Sequence, residues 1–263
     1  MVNSVRKLVV NSVVAFGLSA IIMPNVALAF DEFSSTPYRY EYGGVPSTSY
    51  KQKGSFIAGL KVGADISYFR PRSASITFNG PYGPMATLNY SDAGNIISLG
   101  FAAGLEVGYQ HPITDNMGFR YYLDYFYSRT SASKTMSVQG NNADVNIDIN
   151  SHMAFANIDY YYNFTDNFAF SIGLGLGYHT MRPYLSANVT GTDGVSRTNN
   201  FNDKYGGSFA LPINIGFSYD FLSSHRLTLS AKIPTLFLEY NSAQLGYIDI
   251  RSFIVSVGHS LVF

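Results

Sequence analysis

The sequence predicts an all-β fold: a transmembrane antiparallel up-and-down β-barrel of eight strands spanning residues 55–263. Three observations predict it. Apolar side chains alternate with small or polar ones at period two along successive segments, the mark of strands with one apolar face. The linkers between segments are alternately short and long, as periplasmic turns and external loops are. The chain holds 21 Tyr and 20 Phe and is only 13% charged. Yet beyond residue 29 no apolar run nears the roughly 18 residues that a membrane helix needs.

Residues 1–29 read as a signal peptide. Arg6 and Lys7 precede an apolar stretch over 8–23, then Pro24 and the small-x-small triplet Ala27-Leu28-Ala29, where a signal peptidase cuts. The formal charge is 0, and losing Arg6 and Lys7 leaves −2. A near-neutral protein lacks the basic surface that nucleic acid requires. There is no cysteine, so an exported chain must hold together without disulfides or thiolate metal sites. Residues 30–54 are polar and turn-rich, an extended segment ahead of the barrel domain at 55–263.

The strands follow in order. The first puts Phe56, Ala58, Leu60, Val62, Ala64, Ile66 and Tyr68 on one face, with Gly59, Lys61, Gly63, Asp65 and Ser67 on the other. The second sets Ile97 through Tyr109 against Ser98, Gly100, Gly104, Glu106 and Gly108. The third opposes Phe119, Tyr121, Leu123, Tyr125 and Tyr127 to Arg120, Tyr122 and Asp124. The fourth opposes Ala154, Ala156, Ile158, Tyr160 and Tyr162 to Asn157 and Asp159. The fifth is the clearest: Phe168, Phe170, Ile172, Leu174, Leu176 and Tyr178 against Ser171, Gly173, Gly175 and Gly177. The sixth runs Phe209 to Tyr219, with Asn214, Gly216, Ser218 and Asp220 opposite. The seventh sets Leu227, Leu229, Ala231, Ile233 and Phe237 against Thr228, Ser230 and Lys232. The last sets Phe253, Val255, Val257, Leu261 and Phe263 against Ser252, Ser256 and Ser260. Turns at 114–116, 165–167 and 223–224 are tight. The stretches at about 70–95, 129–150, 183–207 and 240–250 read as long polar loops, with room for a further hairpin within 75–88.

A soluble sandwich or closed barrel also alternates, but its polar face is charged for water. Here that face is Gly, Ala and Ser with isolated charges of both signs, which suits a tight interior. The apolar faces end in Tyr, as a lipid-facing band with an aromatic girdle does. Lipid tolerates strands only in a closed sheet. The expected location is therefore the cell outer membrane, with outer-membrane lipid and the barrel-assembly machinery as partners. Phe263, the last outward residue of an alternating strand, is the expected assembly signal.

Lys61, Asp65, Glu106, Arg120, Asp124, Asp159 and Lys232 are the candidate site: charges on the inner face that tolerate burial only as a paired network. An eight-stranded barrel is just wide enough to be filled by its own side chains. The sequence holds no metal-ligand spacing, no phosphate-binding glycine loop and no fixed catalytic spacing, so no catalytic residue, metal or cofactor is assigned. His152 and His179, towards the outer rim with Asp148 and Ser151 nearby, are the residues an outer-rim hydrolase or acyltransferase would use.

At Gly118-Phe119-Arg120-Tyr121-Tyr122-Leu123-Asp124-Tyr125, and again at Lys232-Ile233-Pro234-Thr235 followed by Arg251-Ser252-Phe253, the chain resembles the Helicobacter outer-membrane protein family, the Hop-like porins and adhesins. In size it is similar to small eight-stranded barrels of the OmpA/OmpX type. The resemblance implies an outer-membrane surface protein. It departs from the family in lacking a large external domain and in a last strand poorer in Tyr. The filled interior favours a structural or adhesin role through the extracellular loops, which would meet a host or surface ligand. The resemblance keeps a small-solute porin as the alternative, and an outer-rim enzyme stands behind both.

Overall fold

A computed structural model describes residues 54–72, 75–80, 83–89, 95–138, 141–190, 194–202, 204–221, 224–236, 238–242 and 246–263. The signal-peptide reading and the polar segment before the barrel lie outside the described residues, Gly54 apart, as does Phe237.

Thirteen β segments are described and no helix. They are β1 (Ser55–Pro71), β2 (Ser75–Gly80), β3 (Gly83–Asn89), β4 (Ile96–Pro112), β5 (Met117–Val138), β6 (Asn141–Asn163) and β7 (Phe168–Thr190). The rest are β8 (Ser196–Asn202), β9 (Gly206–Ala210), β10 (Pro212–Phe221), β11 (His225–Pro234), β12 (Leu238–Ser242) and β13 (Gly246–Val262). The main sheet runs β1-β4-β5-β6-β7-β10-β11-β13, and β13 pairs back onto β1, so eight strands close a ring. All its ladders are antiparallel. β8, β9 and β10 are successive pieces that all pair with β7; β11 and β12 both pair with β13. The expected hairpin exists as β2–β3, but in a two-stranded sheet of its own, so the ring still counts eight.

The closing seam carries the chain's end. The Phe56 and Phe263 backbones exchange both N–H···O bonds, at 3.1 and 3.0 Å. The two Thr-Asp-Asn turns are built alike. Ile113 and Thr114 N–H both donate to Met117 O, as Phe164 and Thr165 donate to Phe168 O. In each, the Asn amide is 3.4 Å from the Thr hydroxyl two residues earlier. A threonine hydroxyl that accepts locally is what fixes such a turn.

All four stretches read as loops hold strand, and two of them extend the tallest strands of the ring. β5 continues to Val138, and β6 and β7 have 23 residues each, about twice the roughly 9–11 that cross a bilayer at a tilt. Along them the alternation changes phase. On β6, Ala154, Ala156, Ile158 and Tyr162 point outward while Asn157 and Asp159 are buried. Beyond His152 the order is reversed: Ala143, Val145, Ile147 and Ile149 are buried and Asn142, Asp144 and Asn146 are exposed. β5 changes after Tyr127, where Arg129, Ser131 and Ser133 take over the outer face; β7 changes after Tyr178, with Met181, Leu185, Ala187 and Val189 buried. Polar inside and apolar outside is the rule in lipid, and the reverse is the rule in water. The inversion therefore marks the outer membrane boundary on β5–β7, and beyond it the barrel continues as a water-facing annex with an apolar core.

That core joins Ile147, Ile149, Met181 and Leu185 to Phe69, Ile96, Tyr240, Ile248 and Ile250 from the opposite wall. One seam of the wall loses its ladder at its outer end. The β10–β11 ladder stops at Pro212↔Pro234. Outward of it, among the described residues, β9 pairs with β7 and β12 with β13, with no ladder between β9 and β12. Proline lacks the N–H that a ladder needs, and two of them facing each other end the pairing there.

Candidate functional site

The lumen inside the membrane band is built on glycines and short side chains that let a few long ones cross. A Cβ added at Gly104 would lie 2.7 Å from Phe126 Cδ1; only the missing side chain lets the Phe126 ring lie across β4. At Gly175 it would lie 2.9 Å from Pro212 Cγ.

The charges fall into three groups. In the middle, Lys61 Nζ lies 2.6 Å from Glu106 and 3.8 Å from Asp124, and Lys232 Nζ is 2.9 Å from Asp124. Lys232 also donates to Asn157 Oδ1 at 2.8 Å and Asn214 Oδ1 at 2.9 Å. Asn214 Nδ2 then donates to Asp159 Oδ1 at 3.0 Å, and Tyr122 Oη to Asp159 Oδ2 at 2.9 Å. Ser260 Oγ donates to Glu106 at 2.6 Å. Each lysine also lies against rings, Lys61 at 5.1 Å from Tyr122 and Lys232 at 5.0 Å from Phe155. The site brings Lys61, Glu106, Asp124, Asp159 and Lys232 together across five walls of the ring.

Asp65 and Arg120 stand apart from it. Asp65 is fully buried, and among the described residues its carboxyl is met by serine hydroxyls, with Ser67 Oγ donating at 2.9 Å and Ser128 Oγ at 2.5 Å. Arg120 lies with its guanidinium carbon 5.9 Å from the Tyr161 ring, and among the described residues its Nε and Nη2 meet no acceptor. Near it is a pair that the sequence reading did not select. Arg226 Nε and Nη2 bind both Asp220 oxygens at 2.5 and 2.7 Å, and Nη1 donates to Gln110 at 2.7 Å. Extending the seventh strand's alternation one step back from Leu227 would have placed Arg226 on the inner face.

Little room remains. A cavity of about 20 Å³ lies among Lys61, Arg120, Tyr122, Thr228 and Lys232. Another of about 20 Å³ lies at the seam that loses its ladder, among Met153, Phe155, Ala210, Leu211, Pro234 and Leu236. Each holds about one water. Above the charged layer Ala102, Phe126, Met153, Phe155 and Ile254 pack together, and the annex core follows.

The two rim histidines do not share a site. His179 is 2% exposed and faces inward beside Met153; His152 faces outward, its Nδ1 2.6 Å from Tyr125 Oη.

The profile of the family described as Helicobacter outer membrane protein matches residues 104–263. This chain belongs to the Helicobacter outer membrane protein family. Its place in the cell outer membrane follows, and the outward apolar band on the ring of eight strands agrees with it. Among solved structures it is similar to Neisserial surface protein A (16% identity, 80% of this chain and 100% of that one, TM-score 0.38). It is also similar to OprG from Pseudomonas aeruginosa (14% identity, 80% and 96%, TM-score 0.40). A third is Ail, the attachment invasion locus protein of Yersinia pestis (11% identity, 79% and 99%, TM-score 0.30), solved in complex with the heparin analogue sucrose octasulfate. No curated protein matches this family member.

Proposed function

We propose that this member of the family is a closed surface barrel: a structural protein or adhesin that acts through its extracellular part and conducts no solute. One observation carries the reading. The lumen is crossed by a charged layer, Lys61–Glu106 and Lys232–Asp124, and above it by the apolar annex core. An ion moving through would have to break buried pairs, which hold only as long as both partners stay, and then enter a layer with nothing to replace its hydration. What such a barrel offers outside is the polar face of its annex. Asn142, Asp144 and Asn146 of β6 lie beside Ser133 and Thr135 of β5 and beside Asn188 and Thr190 of β7. A broad sheet of Asn, Ser and Thr supplies adaptable hydrogen bonds for a host or surface ligand.

The test is reconstitution of the mature protein in planar bilayers under a voltage ramp. No stable conductance steps are expected, from the wild type or from a variant with Lys61 and Lys232 both replaced by Met. Regular steps from the wild type would favour a solute channel and sink the closed barrel.

A further inference from the structure

The outer membrane boundary on β5–β7 carries a cluster that the closed lumen does not use. Arg129 of β5 pairs in register with Asn150 of β6, and Asn150 pairs with Arg182 of β7. All three side chains point outward. Neighbouring strands lie about 4.7–4.9 Å apart, so the two arginines stand roughly 10 Å apart, with one amide between them.

The row is held in place from below and beside. Tyr127 Oη lies 3.4 Å from Asn150 Oδ1. Arg182 Nε donates to Asn202 Oδ1 at 3.1 Å, and its guanidinium lies 5.8 Å from the Tyr205 ring. His152, the next outward residue towards the membrane, is bonded to Tyr125 and ringed by Tyr127 at 5.3 Å and Tyr205 at 5.7 Å. The nearest carboxylate on β6, Asp148, lies one step further out and accepts from Ser131. Two guanidinium groups thus sit directly above an aromatic girdle, at the depth where lipid headgroups begin.

We propose that Arg129, Asn150 and Arg182 form a site for the phosphate groups of an outer-leaflet lipid. Charge complementarity and depth together select the occupant. A planar guanidinium binds phosphate through paired N–H···O bonds. Two of them about one headgroup apart can hold one doubly charged group or two neighbouring ones. The tyrosine cage beneath would rest on the first methylenes of the same lipid, the amphipathic contact that Tyr makes at an interface.

The experiment uses the folded barrel in phosphatidylcholine vesicles containing either bis-phosphorylated lipid A or lipid A stripped of both phosphates. Lipid carried through detergent extraction is counted per barrel by native mass spectrometry. Bis-phosphorylated lipid A should be retained and the stripped form lost. R129Q/R182Q should lower retention by about fivefold per arginine, the weight of one basic side chain at a charged lipid surface. R70Q, an outward arginine on β1, should leave retention unchanged. Arg129 is exposed and has no side-chain partner among the described residues, so R129Q alone carries the test if the double variant does not fold. Equal retention of both lipid forms, or retention unaltered in R129Q, would overturn the proposal. Displacement of the lipid by inorganic pyrophosphate at equal phosphate concentration would also overturn it, in favour of a soluble phosphate ligand.

Discussion

Asp124 is the carboxylate that both lumen lysines reach, at 2.9 Å from Lys232 and 3.8 Å from Lys61, and its side chain is fully buried. Removing one member of a buried pair leaves the other uncompensated, which costs about 3–5 kcal/mol. Asp124→Asn should therefore lower stability by that amount in urea unfolding from vesicles. Asp148→Asn, on the outer face of the annex, should change it by less than about 0.5 kcal/mol. A D124N barrel as stable as D148N would show that the lumen charges are solvated rather than paired. The residues of this layer were legible because Lys61, Glu106, Asp124, Asp159 and Lys232 all fall on the small-residue phase of their strands. Their partition was not. Period two gives the face but not the height, and height separates Asp65 among its serines from the lysines, and Arg120 from the carboxylates.

At the scale of the element, the membrane halves of the strands were legible and the water-facing halves of β5–β7 were not. Asn142, Asp144, Asn146, Asp148 and Asn150 make the stretch look like a loop by composition. Val145, Ile147 and Ile149 between them keep period two with the faces exchanged. A reader expecting one apolar phase per strand sees the second phase as noise, although the physical rule simply reverses where lipid gives way to water. The cysteine-free chain makes this testable with single substitutions on intact cells and a membrane-impermeant maleimide. Asp144→Cys should label, Ile158→Cys should be shielded by lipid, and Ile147→Cys should be shielded by the annex core. Rapid labelling at 147 would mean that 141–150 is a loop in the membrane-bound protein and that the apolar core does not form.

At the scale of the molecule, the eight-stranded ring closes along a continuous seam and is interrupted along another. β1 and β13 pair from Ile57↔Val262 to Pro71↔Ile248. Between strands six and seven the ladder ends at Pro212↔Pro234, followed by Thr235, whose N–H donates to Leu211 O at 3.2 Å and whose hydroxyl donates to the same oxygen. A stretch without ladder bonds is where the wall has least to lose by parting. Unfolding should therefore begin at the interrupted seam. Leu211→Cys with Thr235→Cys places a disulfide across it, between the two residues that the Thr235 N–H to Leu211 O bond brings side by side, within the reach that such a bond needs. Ala58→Cys with Leu261→Cys places one across the continuous seam in the same way. If loop closure alone set the gain, the second staple would stabilise more, since it encloses far more chain. If the interrupted seam opens first, the first staple should gain more, on the order of 2–4 kcal/mol. It should raise the temperature at which the barrel loses its compact gel mobility, and reductant should abolish the rise. A larger rise from the 58–261 staple would place the first opening elsewhere.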